Sequence, residues 1–234
     1  VRRGGRRRGA HGKHRHVNPE SPDNPDAAAA RGDTVPWAVP VLVVLVATAL
    51  RGWELGGQGL WADEAVLANW SILPLGELFS RLAGDTQPPL FLLCVRAVHA
   101  VAGTGEWQVR FPSFLASLAA VPVLAWSVRP LFGARAGWTA AGILGIHASS
   151  IHYAREAKPY ALMVFLLVAC AGGLVRVARG GAVWPLVFTA VVGALALFTH
   201  NVAVPFLGVL GVVAILAARG NRRAQLRIMG ALGA

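Results

Sequence analysis

The stretch YALMVFLLVACAGGLV, from Tyr160 to Val175, carries no charged residue, and Arg176 and Arg179 follow it directly. About 20 apolar residues are enough for a helix to cross the hydrocarbon layer of a bilayer, and polar flanks extend this run toward that length. Working outward, further apolar runs lie at 35–50, 111–128, 138–151, 184–198 and 202–218. A shorter one at 88–103 carries Arg96 and His99 near its middle. Charged groups are costly in hydrocarbon, so this last run reads as a helix lying at the interface or re-entering. The expected fold is an all-α integral membrane protein. It is a polytopic helical bundle of about six spans, with juxtamembrane helices on one face.

Composition agrees. Of 234 residues, 55% are hydrophobic and 14% charged, with a mean hydropathy of +0.54. Soluble domains carry about 25% charged residues, so this chain cannot cover a water-facing surface. An ordinary cytosolic enzyme, a disordered protein and a disulfide-rich secreted module are excluded. Cys94 and Cys170 both sit in apolar runs without metal spacing and read as small buried hydrophobes.

The charge is unbalanced, with 22 Lys and Arg against 11 Asp and Glu and a net charge of +11. Nucleic acid is not the implied partner. Residues 1–16 hold seven Arg or Lys and no aromatic residue that could stack on bases. Residues 1–34 read as a disordered basic cytoplasmic tail facing anionic lipid. The positive-inside rule then puts the connectors with Arg129 and Arg135, Arg176 and Arg179, and Arg219, Arg222 and Arg223 on the cytoplasmic side. The expected location is the cell membrane, multi-pass, with the N-terminus cytoplasmic and a long outer loop at 52–109. Beyond the tail the seven acids are Glu54, Asp63, Glu64, Glu77, Asp85, Glu106 and Glu156, and this topology places all seven outside.

Four clusters on that face carry the polar chemistry. Asp63 and Glu64 begin an amphipathic stretch flanked by Trp61 and Trp70. The pair reads equally well as a site or as acids favoured by the dipole of a helix start. Asp85, Thr86 and Gln87 precede Pro88 and Pro89, which start the next helix, and capping by Asp85 or Thr86 alone would account for them. The segment His152 to Tyr160 places Arg155 and Lys158 beside Glu156. These cations suit either local ion pairs or phosphate oxygens. The run Phe198-Thr199-His200-Asn201 places a histidine at the end of a span, where packing is a sufficient reason for it.

In this order the motifs resemble the membrane-embedded GT-C glycosyltransferases, in particular the protein-O-mannosyltransferase-like and aminoarabinose-transferase-like group. The residues that carry the resemblance are Asp63-Glu64, Gln87-Pro88-Pro89-Leu90, Arg110-Phe111-Pro112-Ser113 and Phe132-Gly133-Ala134-Arg135-Ala136-Gly137. They continue in Tyr153-Ala154-Arg155-Glu156-Ala157-Lys158-Pro159-Tyr160-Ala161-Leu162 and Phe198-Thr199-His200. The resemblance covers roughly residues 36–218. The chain departs from the group's pattern at Gln87, where His is usual, and at Ala154-Arg155, where Ser-Gln is usual. Lys158 stands for Arg with its charge kept.

The resemblance implies transfer of a sugar, mannose-like or other, from a polyprenyl-phosphate donor to a glycan, protein or lipid acceptor on the outer face, with inversion. In that reading Asp63 is the base and Glu64 orients the acceptor or raises the Asp63 pKa. Arg155, Lys158, Glu156, Arg110, Asp85, Gln87 and His200 form the substrate-binding set. No cofactor is expected. Asp63, Glu64 and Asp85 could gather a divalent cation, although no spacing demands one. The end at Ala234, just after a basic connector, reads as the truncation of a longer chain. The rival readings are a transporter or flippase using His147, His152, Glu156 and His200, and a non-catalytic fragment.

Overall fold

The computed structural model describes residues 33–85, 87–179 and 183–233. The chain divides into residues 1–34, of which only 33 and 34 are described, and a compact unit of 35–234. The basic tail and the cap expected at Thr86 therefore lie outside the described residues. Those that are described form helices and no strand.

The helices are α1 (Ala38–Gly52), α2 (Ala62–Ser71), α3 (Leu75–Ala83), α4 (Leu90–Ala102) and α5 (Glu106–Ile146). They continue with α6 (Ala148–Ala154), α7 (Tyr160–Arg179), α8 (Trp184–Leu197), α9 (Ala203–Ala217) and α10 (Arg222–Gly233). Helix α5 is broken at Gly133, where φ is 89°, a left-handed conformation that only glycine adopts freely. The chain doubles back there. A Cβ on Gly137 would lie 2.7 Å from the carbonyl oxygen of Ala125, and Val121, Ala125 and Ala141 share one core cluster with Ala47 of α1. The connector at 132–137 thus joins two antiparallel arms, which correspond to the expected runs 111–128 and 138–151. The second arm stops at Ile146, short of the expected end, because His147 turns to extended backbone before α6.

Helix α7 lies at the centre of the larger core cluster, with Leu166, Cys170 and Leu174 buried among residues of α8, α9 and α10. Gly172 and Gly173 let neighbours approach closely. A Cβ on Gly172 would collide with Ser127 and Trp126, and one on Gly173 with Thr189. Small residues at helix contacts serve this purpose wherever packing, not solvent exclusion, drives association.

Two helices, α5 and α7, are long and apolar enough to cross a membrane. Among the described residues the other apolar helices are shorter. α1 has 15 residues, α8 has 14 and α9 has 15, or about 21–23 Å at 1.5 Å per residue. Turns at Phe198–Asn201 end α8 and delay α9, which removes residues that hydropathy alone assigned to the spans.

Hydrogen bonds sort the bundle into two ends. At one, Leu90 N–H donates to Phe198 O, Ser113 Oγ donates to Lys158 O, and Arg51 reaches the carbonyls of Leu144 and Gly145. At the other, Arg176 stacks on Trp126, 3.4 Å from the ring centroid, and donates to Trp126 O. Both termini of α4 lie at the first end. Its start bonds to Phe198, and Gln108 Nε2 near the start of α5 donates to Ala102 O. Arg96 donates to the carbonyls of Ser71 and Leu73, while His99 Nδ1 pairs with Ser71 Oγ at 2.7 Å. These two polar residues in an apolar helix therefore tie down the C-terminal end of α2 and the turn after it, Arg96 through carbonyls and His99 through the Ser71 hydroxyl.

Candidate functional site

Asp63 and Glu64 occupy the first turn of α2, where carboxylates complement the helix dipole. Adjacent helical residues do not share a face, and the two carboxylates diverge. Glu64 is 1% exposed. Its Oε1 accepts from Arg110 Nε at 3.0 Å and from Ala157 N–H at 2.7 Å. Its Oε2 accepts from Arg110 Nη2 at 2.7 Å and from Trp61 N–H at 3.3 Å. Arg110 is itself 3% exposed, and its remaining donors go to the carbonyls of Leu55, Gln58 and Gly59. Burial pushes the Glu64 carboxyl up, but the guanidinium and the two backbone donors outweigh it and hold the pKa below its ordinary value. One ion pair thus joins the loop after α1, the start of α2, the start of α5 and the segment before α7.

Asp63 points the other way and is 75% exposed. Lys158 Nζ donates to its Oδ2 at 2.5 Å. That hydrogen bond, and then the ammonium charge, hold the Asp63 carboxyl below its usual value. The expectation that Glu64 raises the Asp63 pKa or orients an acceptor finds no support in this geometry. Glu64 faces Arg110, and Lys158 sets Asp63.

Two cavities flank this wall. The first, about 310 Å³, is lined by Asp63, Lys158, Asp85, Gln87 and His200, with Trp70, Phe91, Pro159 and Tyr160 as its apolar part. Five of the expected site residues, separated by as many as 137 positions (200 − 63), meet there. Asp85 Oδ1 accepts from Gln87 N–H at 3.2 Å, His200 Nδ1 accepts from Val202 N–H at 3.1 Å, and the His200 ring packs on Tyr160. The second cavity, about 410 Å³, is lined by Arg110, Arg155 and Glu156 together with Glu54, Trp61 and His152. Arg155 and Lys158, expected to hold one phosphate between them, face different cavities. The histidines of the transporter reading are divided as well, His200 in the first cavity and His152 in the second.

Among the described residues no group of three or more His, Cys, Asp or Glu is placed to hold a metal. The set considered for a divalent cation does not assemble, since Glu64 is committed to Arg110. Arg51 is a further polar centre, which the sequence motifs do not mark. It is fully buried, and its guanidinium donates to Ser117 Oγ, Ser150 Oγ and the carbonyls of Ala47, Leu144 and Gly145. The last two carbonyls end the second arm of α5, where a cation suits the exposed negative end of the helix dipole. A charged residue at the end of an apolar run was the available signal, but its partners lie 66 or more positions away, apart from Ala47.

This is an all-helical protein whose bundle gathers carboxylates and cations at one end, around a half-apolar cleft. Residues 86–234 match the sequence model of the dolichyl-phosphate-mannose-protein mannosyltransferase family, and the chain belongs to that family. Membership makes it a glycosyltransferase of the membrane GT-C type. No curated protein and no solved structure gives a match. The matched residues contain Arg110, Lys158 and His200, whereas the carboxylate helix α2 precedes them.

Proposed function

We propose that the protein transfers a sugar from a polyprenyl-phosphate donor to an acceptor hydroxyl at a membrane surface, with Asp63 as the base. The observation that carries this reading is the Asp63–Lys158 pair, an exposed carboxylate held by a cation on the wall of a half-apolar cleft. A lipid phosphate needs cationic contact at its oxygens, and its chain needs an apolar path. Lys158 supplies the first, while Trp70, Phe91 and Pro159 begin the second.

The acceptor oxygen forms the new bond to the anomeric carbon as the bond from that carbon to the phosphate oxygen breaks. The electron pair leaves with the phosphate, which Lys158 neutralises. The acceptor proton passes to Asp63. Lys158 keeps that carboxylate ionised beforehand and shifts toward the phosphate as charge develops. Attack opposite the leaving group inverts the anomeric centre. Glu64 and Arg110 act by position, fixing the turn that carries Asp63 against the segment that carries Lys158.

A multi-pass membrane setting fits the apolar side chains on the outside of the bundle, among them Leu42 and Leu45 on α1, Val187 and Val191 on α8, and Val209 and Val213 on α9, all exposed. Helices that are apolar on every side need a non-aqueous surrounding. The reading is tested by incubating membranes that contain the protein with polyprenyl-phosphate mannose labelled in the sugar. Label is expected in a product that no longer extracts with the donor lipid. Label that stays on the donor, or crosses the membrane unchanged, contradicts the reading.

A further inference from the structure

We propose that the second cavity is a saccharide subsite, and that the acceptor it takes is a glycan. The assignment of that glycan as acceptor rests on the transfer reading above; the binding itself does not. The cavity is of the size that small-molecule pockets occupy. Its polar lining carries both signs. Glu54 and Glu156 contribute carboxylates, Arg155 a guanidinium, His152 an imidazole and Gln58 an amide. Arg110 adds no net charge, because it is neutralised by Glu64. A simple anion would find little net attraction there. A polyol is different, because each hydroxyl both donates and accepts and matches planar groups of either kind.

Hydrogen-bonding capacity supports the same ligand. Arg110 is fully engaged with Glu64 and three carbonyls. The side chains of Arg155, Glu54 and Gln58 make no hydrogen bond or ion pair among the described residues, and His152 and Glu156 meet only at 3.4 Å. Trp61, a residue 61% exposed, closes the ring and offers an apolar face on which the C–H side of a sugar can lie. Glu54, whose φ of 53° is an uncommon conformation for a side-chain-bearing residue, also lines the cavity. Trp61 lines this cavity, and Asp63, two residues further on, lines the other.

The test is binding without donor. The protein in lipid nanodiscs is titrated with mannotetraose, with arabinotetraose, and with a Ser/Thr-rich peptide, followed by saturation-transfer NMR and calorimetry. At least one oligosaccharide is expected to bind, and the peptide is not. The variants Trp61→Ala, Glu54→Gln and Arg155→Gln should each lower that affinity about tenfold or more while the thermal midpoint stays near that of the parent. Absence of binding by both oligosaccharides, preference for the peptide, or equal affinity in folded Glu54→Gln and Arg155→Gln proteins would overturn the proposal. Because no donor is present, failure of sugar transfer would leave this result standing, and the converse also holds.

Discussion

The two sides of the first turn of α2 hold the same functional group in opposite circumstances. On the inner side Glu64 is buried, bonded through both oxygens and locked to an equally buried arginine. On the cleft side Asp63 is solvated and held by one flexible lysine. Chemistry at a reacting centre needs a group that can change partners, while architecture needs one that cannot. The difference suits Glu64 to fixed geometry and, in the proposed reaction, Asp63 to turnover.

The largest expected effect comes from the inner side. Removing one partner of a buried ion pair strands the other and typically costs about 3–5 kcal/mol. Glu64→Gln or Arg110→Met should therefore lower the thermal midpoint strongly and abolish transfer through loss of the folded site. A folded, active Glu64→Gln protein would erase the distinction.

On the cleft side, Lys158→Met should leave the fold unchanged, weaken transfer about tenfold or more, and release the Asp63 carboxyl toward its ordinary value. The acid limb of the pH–rate profile should then move to higher pH, which a merely structural lysine would not cause.

Acid stability comes next. The Glu64 pKa is lowered in the folded state, so its contribution is present above the unfolded carboxyl pKa and is lost as pH falls through the folded value. Thermal melts should show the midpoint falling below about pH 4.5. The smallest effect belongs to the surface pair Arg81–Glu77, with side chains 49% and 48% exposed. Glu77→Ala should change stability by less than about 1 kcal/mol.

Part of this arrangement is readable in the sequence. The apolar runs with arginine connectors announce an all-helical bundle, and Phe132-Gly133 announces the reversal within α5. The clustering of Asp63, Asp85, Gln87, Lys158 and His200 follows from motif order. The separate roles of Asp63 and Glu64 do not, because adjacency says nothing about which carboxylate meets an arginine 46 positions away. Arg155 and Lys158 look like a pair in one dimension, yet the turn between α6 and α7 sends them to different cavities. Arg51 is hidden for the same reason, since most of its partners are backbone carbonyls that no residue type advertises. Helix ends are less legible than apolar runs, because hydropathy does not see where turns such as Phe198–Asn201 end a helix.

The central claim is that Asp63 removes the acceptor proton. It is tested most directly by comparing Asp63→Asn with the parent protein in transfer of labelled sugar from polyprenyl phosphate, alongside a thermal melt. The account predicts an unchanged midpoint and a loss of transfer of about 100-fold or more. Transfer at the parent rate by the folded variant would contradict it.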